Sequence, residues 1–364
     1  MDLHEPDRIP FMCQMSIGHM LQQLQVCPTE FWFDPDTFTS GLLSLREIYG
    51  FDGILISLHG HTTGWRDRIV KRAQSENGEF VSFNDGTKMI FRNDDLPESL
   101  DNSPPKPSVS EVNIKKLPCP LDYIPISQGL HFKIDPRNKF GVIETIVRKA
   151  GKDYSIHGEI TSPFDYFLDL LGHQEGLIAL IDDPEKCKEI LSHFTRLVEE
   201  LAIEMCRTGV DAIKISSPFS GAGFISPEFY KEFVVPYESR ISRSIRKQGV
   251  HTYLHTCGAI GDRLDMMFES GASGIECLDP PPLGDVELDC GMKVAQHRGF
   301  IKGNVDSVNT LLLGTDEEIL SDAKKRIEVG GKSGGFILST ACSIAPKVKK
   351  EKVLLLRRAV ERWG

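Results

Sequence analysis

The sequence predicts an α/β fold, a single (β/α)8 barrel over residues 1–364 with a β-hairpin insertion. Three observations predict it. Short apolar runs entered through glycine recur along the chain, amphipathic stretches separate them, and polar side chains collect where the runs end. With 364 residues and a 40% hydrophobic composition, the chain is large enough to fill the core of one barrel.

The elements follow in chain order. Helical patterns include residues 184–207, a segment opened by Ser226 and Pro227, a capping box at Thr315, and residues 350–363. The segments with the pattern of buried strands are 9–13, 51–59, 154–159, 210–216, 250–255, 274–278, 299–302 and 335–339.

An insertion over about residues 66–120 interrupts this alternation. Residues 80–83 and 88–91 read as two strands of a hairpin, with an Asp85–Gly86 turn between them and a further turn at Asn77–Gly78. A stretch rich in proline, serine and aspartate follows at 94–120. The insertion is interpreted either as a lid or partner-docking element, or as a plain surface insertion.

Composition excludes several function classes. A formal net charge of −10 argues against binding to nucleic acid or to an anionic membrane. Apolar runs stay well short of a membrane span, and the first residues lack a basic segment followed by an apolar core, so neither an anchor nor a signal peptide is expected. Nine scattered cysteines indicate reduced thiols, as in the cytoplasm.

Three residues at strand ends form a candidate metal site. His255 and Cys257 alternate on one extended segment and so face the same side, and Cys342 follows another predicted strand. In a barrel both strand ends open onto the same mouth. Zinc binds Cys sulfur and His nitrogen, and catalytic sites keep one position open. The alternatives are two buried free thiols beside a core histidine, or a Cys257–Cys342 disulfide, which the compartment disfavours.

Polar residues at other strand ends are predicted to face the same mouth. Glu276 is either a fourth metal ligand that yields to substrate or a carboxylate bound to backbone at a strand end. Glu159 and Asp279 are candidates for accepting a proton or for orienting the metal ligands, although each is also compatible with a structural role. The candidates for substrate binding are Asn304, Lys214 and His157.

Four motifs, in this order, resemble the uroporphyrinogen decarboxylase superfamily: EPDRIP at 5–10, YLHTCG at 253–258, KGNVD at 302–306 and STACSIAP at 339–346. The resemblance implies a (β/α)8 barrel. The decarboxylases proper bind porphyrin carboxylates with arginines in a segment like Met-Arg-Gln-Ala-Gly-Arg, whereas residues 12–20 here contain no arginine. The corrinoid-dependent methyltransferase branch carries a His-x-Cys…Cys zinc motif, which corresponds to His255, Cys257 and Cys342.

The resemblance therefore implies a zinc-dependent methyltransferase that moves a methyl group between a corrinoid (cobalamin) and a zinc-activated oxygen or thiol. The cobalamin is expected on a separate corrinoid-binding protein, because the chain shows no Asp-x-His-x-x-Gly segment. A metal-free decarboxylase of the uroporphyrinogen type is the alternative enzyme, and a barrel that uses zinc structurally is the non-catalytic one. Superfamily members often form homodimers, which the sequence leaves open.

Overall fold

The computed structural model describes residues 1–76, 78–101, 105–332 and 334–364. Asn77 of the second predicted turn, and Ser103 and Pro104 of the proline-rich stretch, lie outside the described residues. Within the described part, none of the helices combines the length and apolar character that crossing a lipid bilayer requires.

Seven parallel strands form the main sheet, in the order β1-β8-β9-β10-β11-β12-β13. Neighbouring strands pair in parallel throughout, and their residues are buried on both faces, as expected where helices cover the sheet. The strands are β1 Gly53–Ile56, β2 Ile69–Ser75, β3 Gly78–Phe83, β4 Lys88–Arg92, β5 Glu98–Ser99, β6 Tyr123–Pro125, β7 His131–Lys133, β8 Ser155–Thr161, β9 Ala212–Ser216, β10 His251–Thr256, β11 Gly274–Cys277, β12 Phe300–Val305 and β13 Phe336–Thr340.

Helices alternate with the strands of the main sheet and pack their apolar faces against it. The longest, α7, buries Phe194 and Met205 completely, and its N-cap Asp183 accepts a hydrogen bond from the Lys186 amide. The helices are α1 Ile17–Leu24, α2 Pro28–Phe33, α3 Pro35–Tyr49, α4 Gly141–Ala150, α5 Pro163–Leu171, α6 His173–Asp182, α7 Pro184–Cys206, α8 Pro227–Phe233, α9 Val235–Lys247, α10 Leu264–Glu269, α11 Leu288–Ala295, α12 Asp316–Gly330 and α13 Lys350–Trp363.

The segment around Phe11 closes the sheet into a barrel. On one side, Leu338 of β13 donates its amide to Pro10 (2.9 Å) and accepts the amide of Met12 (3.1 Å). On the other side, the amide of Asp52, just before β1, donates to the Phe11 carbonyl at 2.9 Å. The segment thus occupies the eighth strand position, and the predicted (β/α)8 barrel is confirmed.

Asp52 fastens this closing segment. Its carboxylate accepts hydrogen bonds from the Phe11 amide at 2.7 Å and from two guanidinium nitrogens of Arg8 at 2.9 and 2.6 Å. We expect Asp52→Asn to lower the free energy of unfolding by about 1–2 kcal/mol, because the Phe11 amide loses its charged acceptor. The loss is kept small because the Arg8–Asp52 ion pair is partly exposed to solvent. Urea unfolding followed by circular dichroism measures this, and an unchanged midpoint would contradict it.

The insertion contains a four-stranded antiparallel sheet, β2-β3-β4-β5. The predicted hairpin is present as β3 and β4, and Gly86 in its turn has a φ of +90°, which favours glycine. Phe83 and Phe91 pack edge-on against Phe33 of α2 and attach the sheet to the barrel. The flanking strand β2 escaped prediction because its sequence, IVKRAQS, is mostly polar and exposed.

Candidate metal centre and cavity

Three side chains that are distant in sequence meet at the mouth of the barrel. His255 lies near the end of β10, Cys257 follows one residue after the strand, and Cys342 lies two residues after β13. The Cys257 sulfur is 3.3 Å from His255 Nε2 and 3.8 Å from the Cys342 sulfur. The structure thus brings the three predicted ligands together, with the sulfurs too far apart for a disulfide.

The donor set fits a tetrahedral metal ion. Two sulfurs bound to one Zn²⁺ at about 2.3 Å lie about 3.8 Å apart at tetrahedral angles, which matches the separation observed here. The three donor atoms all lie within 4.8 Å of one another, and the part of the chain that the structure describes holds one such group. All three residues line a cavity of about 470 Å³, so a fourth position is accessible from that cavity.

Glu276 orients the imidazole from the other side. Its Oε2 accepts a hydrogen bond from His255 Nδ1 at 2.9 Å, which keeps a proton on Nδ1 and turns Nε2, the nitrogen that would bind an ion, toward the Cys257 sulfur. Although burial favours the neutral acid, the Lys302 and Lys214 ammonium groups hold the pKa of Glu276 well below its usual range. Glu276 therefore contacts the ring nitrogen that faces away from the sulfurs.

The Cys342 thiol favours its charged state even without an ion. The hydrogen bond with Cys257 is the main cause that holds the pKa of Cys342 well below its usual range. Burial opposes protonation of His255, but the Cys257 sulfur beside it raises the pKa of the imidazole well above its ordinary value. A site that stabilises negative sulfur in this way is suited to a cation.

Cys277 and Asp279 support the loop that carries Cys257. Asp279 Oδ2 accepts hydrogen bonds from the Gly258 amide at 2.7 Å and from the Cys277 thiol at 3.2 Å. Cys277 has a φ of +90°, a strained conformation for a residue with a Cβ. Asp279 does not contribute to the cavity wall, so its geometry indicates positioning of the Cys257 loop. Sequence reasoning missed Cys277, which reads as an ordinary strand residue.

A buried cluster of charges lies behind the cavity wall. Lys214, completely buried, donates to Gln14 Oε1 at 2.7 Å and lies 3.1 Å from Glu159 Oε1 and 3.6 Å from Glu276 Oε2. Glu159 reaches the cavity wall, and its Oε2 has no partner. Most of the other wall is apolar or hydroxylated, and includes Trp32, Leu58, Ile160, Thr161, Ser216 and Phe219.

The three predicted substrate contacts, Lys214, Asn304 and His157, all lie outside the cavity wall. The Asn304 amide donates to the carbonyls of Leu278 (2.9 Å) and Val286 (3.2 Å) and accepts from Arg326, which uses its hydrogen-bonding capacity within the protein. Substrate binding by Asn304 therefore finds no support in the geometry.

His157 lies lower in the barrel because it comes early in β8, two residues before Glu159. Its ring contacts the Tyr253 hydroxyl and the Ser155 hydroxyl, both at 3.0 Å. Burial lowers the pKa of His157 to about 3, so the imidazole is neutral. Its placement indicates a structural role below the cavity floor.

A buried pair of acids beside the cavity was missed from the sequence. The Ser162 hydroxyl donates to Asp165 Oδ2 at 2.5 Å and accepts a hydrogen bond from the Ser217 hydroxyl at 3.1 Å. Ser217 also contacts the Glu238 carboxyl group, so the two acids are connected by these serines. Burial raises the pKa of Asp165 to about 7 and that of Glu238 to about 8. The sequence signal was weak: Ser162 and Asp165 read as an ordinary helix N-cap and first-turn acid of α5.

These two acids predict a pH dependence of stability. In the unfolded chain both ionise near their ordinary values of about 4, whereas the folded protein keeps the protons up to about pH 7–8. The unfolded state thus binds fewer protons between these limits, and the free energy of unfolding falls as pH rises. We expect the Asp165→Asn/Glu238→Gln double variant to flatten this slope in urea unfolding at pH 5 and 8, and the exposed control Glu175→Gln to keep it.

The sequence model of a family described as uroporphyrinogen decarboxylase (URO-D) matches residues 137–363, more than half of the chain. The methylcobamide:CoM methyltransferase MtaA of Methanosarcina barkeri is 27% identical over 222 residues, which cover 61% of this chain and 62% of that protein. The uroporphyrinogen decarboxylase of Thioalkalivibrio sulfidiphilus is 25% identical over 189 residues, 51% of each protein. The chain thus spans less than two thirds of the length of these relatives.

Solved structures share the fold over nearly the whole chain. A methyltransferase from Methanosarcina mazei superposes with a TM-score of 0.72 at 19% identity and covers 98% of this chain and 94% of its own. A B12-independent methionine synthase from Shewanella sp. W3-18-1 gives a TM-score of 0.53 at 14% identity, with 97% of both chains covered. At these identities the likeness supports the barrel and leaves the chemistry to the site.

Proposed function

Because the chain belongs to the uroporphyrinogen decarboxylase family, we propose that it is a zinc-dependent methyltransferase of the corrinoid type. The methyl group moves between a corrinoid cobalt and an oxygen or sulfur of a small substrate. One observation carries the proposal: His255 Nε2 and the sulfurs of Cys257 and Cys342 surround one point that opens onto the cavity. Similarity to the methylcobamide:CoM methyltransferases supports it.

A zinc ion held by these residues would supply Lewis acidity toward the substrate heteroatom. The protein's own residues prepare the site for it. Glu276 fixes the tautomer of His255, and Asp279 holds the Cys257 loop. Lys214 and Lys302 keep Glu276 ionised, so the imidazole keeps its orientation. Glu159, on the wall, is left to contact the substrate.

The decarboxylase alternative has less support. A substrate with several carboxylates requires several cations in the cavity wall. Among the described residues that line the cavity there is no arginine, and Lys106 at the rim is the one lysine. This agrees with the absence of arginine from residues 12–20, of which residues 14–18 line the cavity.

The corrinoid cofactor is proposed to arrive on a separate corrinoid-binding protein that docks at the barrel mouth. The cytoplasm remains the expected compartment, in keeping with the reduced cysteines.

Metal analysis combined with cobalt spectroscopy tests this proposal. Protein purified under reducing, chelator-free conditions is expected to contain about one zinc per chain. Mixed with methylcobalamin and a thiol, or with cob(I)alamin and a methoxy compound, it should change the visible spectrum of the cobalt in one of the two directions. Protein stripped with a chelator should lose this activity and regain it with added zinc. Zinc-free protein with no spectral change in either direction would overturn the proposal.

A further inference from the structure

The unpartnered polar atoms of the cavity carry an inference that rests on the proposed function. We infer that the substrate is a small molecule whose end remote from the metal donates hydrogen bonds and carries a positive charge or none. A thiol ending in an ammonium or hydroxyl group fits this description, and a thiol ending in a sulfonate or carboxylate does not.

The first observation is which atoms lack a partner. Among the described residues lining the cavity, the buried side-chain atoms without a hydrogen-bond partner are Glu159 Oε2 and His59 Nε2. His59 follows β1 by three residues, and Glu159 lies within β8, the strand that pairs with β1. A buried polar atom left without a partner is costly, so a ligand that satisfies both is favoured.

Both atoms are acceptors. Glu159 Oε1 already faces Lys214 at 3.1 Å, so the unpartnered Oε2 is the carboxylate oxygen left to accept a hydrogen bond. His59 Nδ1 lies 3.2 Å from the Lys139 carbonyl and therefore donates to it. Burial lowers the pKa of His59 to about 4, so the ring is neutral and Nε2 holds a lone pair. A group that itself only accepts, such as a sulfonate, satisfies neither atom.

The second observation is the charge of the wall. The described acidic residues in the cavity lining are Asp95, Glu159, Asp165 and Asp169, and burial keeps Asp165 protonated up to about pH 7. Against them stands Lys106, whose ammonium donates to the Asp169 carbonyl at 2.5 Å and lies 3.7 Å from its carboxylate. Two thiolates would balance the charge of the metal, Lys214 faces Glu159 at 3.1 Å, and Lys106 is engaged by Asp169, so none of the described lysines at the cavity is free to pair with an anion. An anionic substrate end therefore finds no free cation there, whereas a cationic one can pair with the unpartnered Glu159 Oε2.

The test is a series of two-carbon thiols that differ at the far end: cysteamine, mercaptoethanol and mercaptoethanesulfonate. The full-length protein is loaded with Co²⁺ in place of zinc, and its ligand-field absorption bands report thiol binding at the metal without turnover. We expect cysteamine to bind at least about tenfold more tightly than mercaptoethanesulfonate, with mercaptoethanol between them. Equal affinities, or tightest binding of the sulfonate, overturn the inference.

The three thiols also differ in acidity, and a variant separates this effect from recognition of the far end of the substrate. Glu159→Gln is expected to shrink the cysteamine-to-sulfonate affinity ratio severalfold, because the acidity of each thiol is the same in both proteins. Glu175→Gln, an exposed substitution of the same kind on α6, should leave the ratio unchanged. An unchanged ratio in Glu159→Gln contradicts the role of Glu159. Cobalt bands that never appear remove the proposed metal site, and this inference with it, whereas bands with the wrong thiol order remove the inference alone.

Discussion

Replacing Cys257 by serine is expected to abolish tight zinc binding and, with it, methyl transfer. The Cys257 sulfur lies between the other two donors, 3.3 Å from the imidazole nitrogen and 3.8 Å from the second sulfur. A serine hydroxyl is a poor ligand at neutral pH and leaves two protein donors. Since losing an outer-shell partner already costs 10–100-fold in metal affinity, loss of a ligand should cost more than about 100-fold. Elemental analysis after dialysis measures the loss.

Two other cysteines provide matched controls for this substitution. Cys290→Ser changes an exposed thiol on α11 and should leave the zinc content at the wild-type level. Cys277→Ser is more informative, since this thiol donates to Asp279 rather than belonging to the donor group. We expect the purified Cys277→Ser variant to contain zinc but to lose it faster than the wild-type protein during dialysis. Full zinc content in Cys257→Ser, or complete loss in Cys290→Ser, would show that the metal is held elsewhere.

Most of the barrel was predictable because its strands are buried on both faces and read as continuous apolar runs. The hardest strand to predict was the eighth, and the structure shows why. Around Phe11 the chain pairs through only a few backbone bonds, and Asp52 supplies part of its attachment. Such a segment has little strand pattern of its own, because tertiary contacts define it.

The metal ligands were predictable because ligand chemistry restricts the residue types and because parallel strand ends share one mouth. The residues that hold these ligands in position were less predictable. Lys302 appeared in the sequence as part of a motif, and nothing local indicates that its ammonium contacts Glu276 of the neighbouring strand. Asn304 shows the converse: a polar residue at a strand end whose partners, on α12 and in the loop after β11, satisfy it away from the cavity. The alternation along a strand predicts which face of the sheet a side chain lies on. Its role depends on hydrogen-bond and ion-pair partners that are distant in sequence.

The Glu276 carboxylate contacts both a metal-site residue, His255, and the buried lysines that support the site. Of the substitutions considered, Glu276→Gln is expected to produce the largest loss of stability. In wild-type protein it lies between two completely buried ammonium groups, those of Lys302 and Lys214, and the His255 ring. Removing its charge leaves Lys214 paired with Glu159 alone and takes away the carboxylate that Lys302 contacts. Breaking a buried ion pair from one side typically costs about 3–5 kcal/mol. Urea unfolding should show this loss, and zinc affinity should fall 10–100-fold as His255 loses its orienting partner.

Two controls show whether the effect comes from unpaired buried charge. Glu361→Gln removes the carboxylate from the exposed Arg357 pair on α13 and should cost less than about 0.5 kcal/mol. In the Glu276→Gln/Lys302→Met double variant one buried cation disappears together with the anion, so part of the lost stability should return while zinc affinity stays low. If the double variant were less stable by the sum of the single losses, the two groups would act independently. Wild-type stability and zinc affinity in Glu276→Gln would exclude the orienting role altogether.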